Sequence, residues 1–264
     1  MKITALVENV SEGEFKAKHG LALYIETQKH KILFDLGPDE TLFDHAEKKG
    51  IHLEEVDLVI LSHGHVDHGG ALKKFLDKNE TAKIYVQQSA FEPHYSKIGF
   101  LKIPVGISEK LQLHPQVVLV EGDVAIDEEL LLFTVEKQKK CRSPVNEVLY
   151  EKGRKDNFIH EQNLMIFAGK NVLIMGCGHA GIVNIMEKAK KYHPSVCIGG
   201  YHLWNPMSKK TVSDGLLEEI ADELKQYPDT QFWTCHCTGQ KAYQYLKTRL
   251  PDMKYLSCGM EIKV

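Results

Sequence analysis

Short apolar runs separated by polar turns fill the first ninety residues. ITALVEN (3–9), LALYIET (21–27), KILFDLG (31–37), VDLVILS (56–62) and AKIYVQQ (82–88) read as strands. Between them, Leu42, Phe43 and Ala46 in ETLFDHAEKKG fall at helical spacing, with Gly50 as the C-cap, and ALKKFLDK (71–78) predicts a second helix. The stretch 90–115 has no clear period and predicts irregular structure. Later, LLLFTVE (130–136), NLMIFAG (163–169) and NVLIMGC (171–177) are strand-like. Three strand-then-helix units close the chain, their helices at GIVNIMEKAKKY, DGLLEEIADELKQY and QKAYQYLKTRL, and YLSCGMEIKV adds a last strand. LALYIETQKHKILFDLG and NLMIFAGKNVLIMGCG share a rhythm of strand, tight turn, strand, so residues 1–264 read as a single α/β domain of two similar halves. The charged segment 137–157 predicts a mobile flap.

Composition narrows the classes. Hydrophobic residues make up 43% and charged residues 26%, ordinary for a globular protein, and the formal net charge is only -3. That balance gives no footprint for nucleic acid or an anionic membrane surface, so a small-molecule substrate is expected, with the oligomeric state open. MKITALVENV leads straight into a strand without a signal-peptide pattern, and the six cysteines include no C-x-x-C pair. The expectation is a cytoplasmic protein with reduced thiols.

LSHGHVDHGG (61–70) changes the picture. His63, His65, Asp67 and His68 place four ligand-type side chains within six residues. Crowded imidazoles repel when protonated and are costly to desolvate, and a bound cation relieves both problems. In extended backbone His63 and His65 project to one side and can share a metal, whereas Asp67 and His68 lie past a turn and address a second. His179, His202 and His236 each follow an apolar strand, and strand carboxyl ends converge on ligand sites in α/β sheets. Cys177 reads first as a small buried residue and second as a thiolate ligand. Strand alternation turns Cys235 and Cys237, which flank His236, away from the metals.

The run His63, His65, Asp67, His68 resembles the signature of the metallo-β-lactamase fold superfamily. The resemblance extends over almost the whole chain and implies a four-layer αββα sandwich. It implies Asp35 as a brace behind the ligand loop, His179 as third ligand of one metal, and His236 as last ligand of the other. The usual bridging aspartate is missing from CIGGYHLW, where His202 is the nearest candidate. HGLALYIE, SHGHVDHGGAL, EQNLMI, GCGHAGIVNI and HCTG are similar to one branch, which includes an archaeal synthase joining a pterin to a ribofuranosyl-aminobenzene phosphate. In that branch Asn9, His19, Glu161 and Gln162 are pocket candidates.

These readings imply a metal-dependent hydrolase of an ester, lactone or phosphoester. Two divalent ions are expected, zinc first, with manganese or iron as alternatives; Asp67 would orient water and His202 would act on the leaving group. One alternative is a pterin transferase, with Phe91, Tyr95, Lys97, Phe100 and Lys102 as slot and phosphate contacts. Another is a di-iron redox protein.

Overall fold

Each half begins with antiparallel strands and continues with parallel ones. A computed structural model describes residues 1–264. In the first sheet, Lys2–Val7, Ala22–Glu26 and Lys31–Phe34 pair antiparallel, then Leu58–Ile60, Lys83–Gln87 and Val117–Val120 follow in parallel. The last strand, Glu261–Lys263, closes the other edge against Lys2–Val7. The second sheet repeats the scheme. Leu130–Thr134, Gln162–Ala168 and Lys170–Ile174 are antiparallel, and Val196–Gly199, Gln231–Thr234 and Lys254–Tyr255 are parallel.

Three apolar layers define the packing. The inner faces of both sheets meet in one cluster, where Ile3, Leu23, Phe34 and Ile60 face Leu132, Leu164, Ile174 and Ile198. The outer face of the first sheet packs on helices Thr41–Lys48 and Leu72–Leu76 through Leu33, Val59, Leu42 and Phe75. The outer face of the second packs on Ile182–Ala189, Asp214–Leu224 and Gln240–Arg249. Alternate side chains of a strand buried on both faces explain why these strands read as continuous apolar runs. The result is the expected helix–sheet–sheet–helix sandwich. No helix is long and apolar enough to cross a membrane.

Two expectations change. Residues 90–115 contain a hairpin, His94–Ile98 with Leu101–Pro104. The charged segment supplies Leu149–Glu151 and Arg154–Lys155, which extend that hairpin into a third, four-stranded sheet. Before them, Pro144–Val148 forms a 3-10 turn capped by the Ser143 hydroxyl. The segment's polar residues hid these short strands, in which only Leu149 is buried.

His30, in the turn between two strands of the first sheet, ties the halves together. Its Nδ1 lies 2.6 Å from Asp57 Oδ2 and its Nε2 2.6 Å from Asp127 Oδ2, next to the second sheet. Burial alone would lower the His30 pKa, but the two carboxylates outweigh it and raise it above 6.5. Folding therefore favours the protonated ring; this stabilisation is complete below the ordinary value and fades as pH rises through the raised one. His30→Gln should lower the melting temperature more at about pH 5.5 than at about pH 9. An equal loss at both would remove the carboxylates as its cause.

Candidate metal centre

Four parallel strands end on one side of the sandwich, and their following residues converge there. Leu58–Ile60 leads into His63, Lys170–Ile174 into Cys177 and His179, Val196–Gly199 into His202, and Gln231–Thr234 into His236. The ligand loop turns against neighbouring backbone. A Cβ on Gly64 would sit 2.1 Å from Ala90 O, and one on Gly176 2.1 Å from Ser62 Oγ, so only glycine lets these segments pass.

His63, His65 and His179 form one group. Their Nε2 atoms are buried without a hydrogen-bond partner, and the candidate ligand atoms lie within 4.8 Å of one another. The far nitrogens of two rings are held. Ser62 Oγ is 2.8 Å from His63 Nδ1, and Asn146 Oδ1 is 3.0 Å from His179 Nδ1, while Phe158 stacks on the His179 ring at 4.4 Å. Burial, with other imidazoles adding to it, pushes all three pKa values well below 6.5. Three neutral rings with inward, unused lone pairs match the donor set of a divalent ion such as zinc.

Asp67, His68, His236 and Cys177 form a second group, again within 4.8 Å. His68 Nε2 is 3.2 Å from both His236 Nε2 and Cys177 Sγ, and His236 Nε2 is 3.4 Å from Asp67 Oδ2. Asp35 is wholly buried and accepts from Ser62 N–H (2.7 Å), Ser62 Oγ (2.7 Å) and His68 Nδ1 (2.6 Å). Burial opposes charge on His68, but Asp35 and Asp67 outweigh it and raise its pKa to about 9. Against its own burial, His68, His236 and His19 hold the Asp67 carboxyl well below the usual range. At neutral pH Asp67 is therefore an anion, and the His68 ring favours holding a proton that a bound cation would displace.

Cys237 departs from its packing reading, while Cys177 is buried, as its first reading had it, and also lies among candidate donors, as its second had it. Cys177 Sγ lies within 4.8 Å of the candidate ligand atoms of Asp67, His68 and His236. The strand before His236 ends at Thr234, and residues 236–238 turn as a 3-10 helix with His236 at φ 50°. Alternation therefore stops short of Cys237, which lines the cavity, while Cys235 stays in the inter-sheet core. His202 groups with Cys177 and Cys237, both its ring nitrogens buried without partners.

The other candidates separate. His19 lines the cavity, its Nε2 3.4 Å from Asp67 Oδ2. Asn9 lies behind His236, contacting its Nδ1 (2.9 Å) and carbonyl (3.2 Å). Glu161 does not line the cavity: its carboxylate accepts from the amides of His179 (2.6 Å) and Ala180 (2.8 Å), and burial, opposed by these bonds, raises its pKa to about 7. Gln162 bonds the carbonyls of Leu61 and Tyr85. Phe91 is in the core, Phe100 is fully exposed, and none of Tyr95, Lys97 or Lys102 lines the cavity either. Braces missed from sequence are Glu8, which accepts from His236 N–H, and Asn146; no spacing rule marks them. A buried relay was missed too: Asp156 Oδ2 contacts His94 Nδ1 (3.1 Å) and His160 Nε2 (3.2 Å), and His160 Nδ1 accepts from Gly64 N–H (3.2 Å).

Comparison with known proteins fits this geometry. The model of the metallo-β-lactamase superfamily matches residues 16–136, which carry Asp35 and the run from His63 to His68. Over that segment the chain is similar to the metallo-β-lactamase superfamily. Similarity extends beyond the matched segment. An uncharacterized protein of Methanocaldococcus jannaschii is 29% identical, covering 99% of this chain and all of its own. From the same organism, 7,8-dihydropterin-6-methyl-4-(β-D-ribofuranosyl)-aminobenzene-5'-phosphate synthase is 28% identical, covering all of this chain and 96% of its own. The solved structure of a metal-dependent hydrolase of the β-lactamase superfamily superposes with a TM-score of 0.83 at 25% identity, covering 100% of this chain and 99% of its own.

Replacing the brace tests the arrangement. Asp35→Asn should weaken metal binding by the second group by roughly 10–100-fold, as loss of an outer carboxylate does elsewhere. Calorimetric titration with zinc reads this directly, and unchanged affinity would mean His68 is oriented by something else.

Proposed function

We propose that this protein is a metal-dependent hydrolase acting through residues 1–264 as one catalytic domain. His63, His65 and His179 hold one divalent ion; Asp67, His68, His236 and Cys177 hold a second. Zinc suits the imidazole and thiolate donors best. The observation that carries the reading is the set of three buried, unpartnered Nε2 atoms converging beside a second four-donor group. Bound ions of this kind acidify water towards neutrality and polarise the oxygen on which negative charge develops.

The chain's own groups then position the reaction. Asp67 accepts a hydrogen bond from the attacking water and sets its direction. His202 lines the same cavity with both nitrogens free, so it donates to the leaving oxygen or to the developing oxyanion. The acid, imidazole and cavity support hydrolysis of an ester, lactone or phosphoester.

A second reading is a pterin transferase, favoured by full-length similarity to the archaeal synthase. It uses the same metal-holding groups but needs a diphosphate contact.

Elemental analysis of protein purified without chelator should find about two metal equivalents, falling to about one in His68→Ala, with hydrolysis lost on chelation and restored by zinc. Cobalt-loaded protein should show a thiolate charge-transfer band that Cys177→Ser abolishes. Absence of metal after reconstitution would sink the whole reading.

A further inference from the structure

We propose that the substrate is an uncharged carboxylic ester or lactone with a short apolar acyl chain, and that phosphate esters are poor substrates. The proposal rests on the hydrolytic reading above and narrows it. The cavity over the candidate metal centre measures about 340 Å³, at the small end for ligand pockets. One end is the cluster of histidines, Asp67 and the two cysteines. The remaining wall is made largely by Val66, Val105, Val145, Val148, Leu149 and Met207, with Ser96 and Asn205 as polar points.

No lysine or arginine lines this cavity. Three cations from segments beside its walls are engaged elsewhere. Lys97, next to Ser96, lies 3.5 Å from the Tyr150 ring centre, and Lys209 lies 5.1 Å from that of Trp204. Lys155 pairs with Glu147 at 3.1 Å. Phosphate sites ordinarily surround their oxygens with guanidinium, ammonium or backbone amides. Here any charge beyond the metal-holding end would lie against valines, losing its hydration without a partner. Two wall residues, Val66 (42% exposed) and Met207 (51% exposed), leave large apolar surface open at the cavity. An acyl chain covers that surface, which is the favourable direction for apolar area.

The reaction balances simply. Water's oxygen bonds to the acyl carbon as the C–O bond to the alcohol breaks. One proton goes to the leaving alkoxide, for which His202 is placed, and the other leaves the resulting acid to solvent.

Two measurements on the zinc-loaded protein test this. The first is calorimetric binding of N-methyl amides of acetic, butyric and hexanoic acids, with inorganic phosphate as the anionic probe. The second is hydrolysis of p-nitrophenyl acetate, butyrate and hexanoate against p-nitrophenyl phosphate and bis(p-nitrophenyl) phosphate. Affinity and kcat/KM should each rise roughly fourfold per added CH2. Esters should exceed both phosphoesters by at least about a hundredfold, and Met207→Lys should flatten the chain-length dependence without loss of metal. Faster phosphoester hydrolysis, or no dependence on chain length, overturns the substrate assignment and leaves the metal-dependent hydrolase standing. Chain-length-dependent binding with no turnover of any ester or phosphoester strikes the hydrolytic reading, while supporting the cavity as an acyl site.

Discussion

Asp35 is buried without exposure at the end of its strand, in left-handed backbone at φ 61°, and three donors end on its carboxylate. A buried acid is tolerable only when its lone pairs are used, so Ser62 and His68 must stay where the acid holds them. The bond to His68 Nδ1 leaves Nε2 to face inward; the Ser62 hydroxyl passes the same constraint to His63. Asn146 does the equivalent for His179 and Asn9 for His236. Each brace comes from a different segment. The inward lone pairs are thus fixed by the fold before any cation arrives, which is what makes a metal site selective and tight.

That order has a cost. The rings of His63 and His68 stand 4.2 Å apart, those of His63 and His179 4.9 Å, and those of His68 and His236 4.9 Å. Such a cluster is neutral by compulsion at one group and raised in pKa at His68, where a proton takes the place a metal ion would. The first half supplies His63, His65, Asp67 and His68, and the second supplies Cys177, His179 and His236. Ions held by both halves would join the two sheets at the end where the strands stop, so metal binding and folding are linked through the same donors.

The sandwich was legible because its strands are buried on both faces and its helices have one apolar stripe; those patterns survive in sequence. The ligand loop was legible because donor density in HGHVDH is hard to explain otherwise. The cysteines were not. Reading Cys237 required knowing that the strand stops at Thr234 and that His236 takes a positive φ, neither of which residue type announces. Choosing between the two readings of Cys177 required the relative placement of two strand ends. The segment 137–157 misled for a different reason: its charged surface residues mask a few inward ones, Asn146 and Asp156, on which the histidines depend.

The division of labour between scaffold and additions explains why substrate is the hardest property to read. Every candidate metal-holding side chain follows a strand of the two large sheets. Apart from Val66, which lies within the ligand loop, the apolar wall comes from the margins: the third sheet and its flanks provide Val105, Val145, Val148 and Leu149, and the loop after His202 provides Met207. Scaffold positions obey periodicity, so their chemistry can be inferred from spacing. Wall positions lie in turns and short strands, where a valine facing a cavity and one facing the core look alike. Reaction type is therefore written in the part of the chain that pattern can reach, and selectivity in the part that only packing reveals.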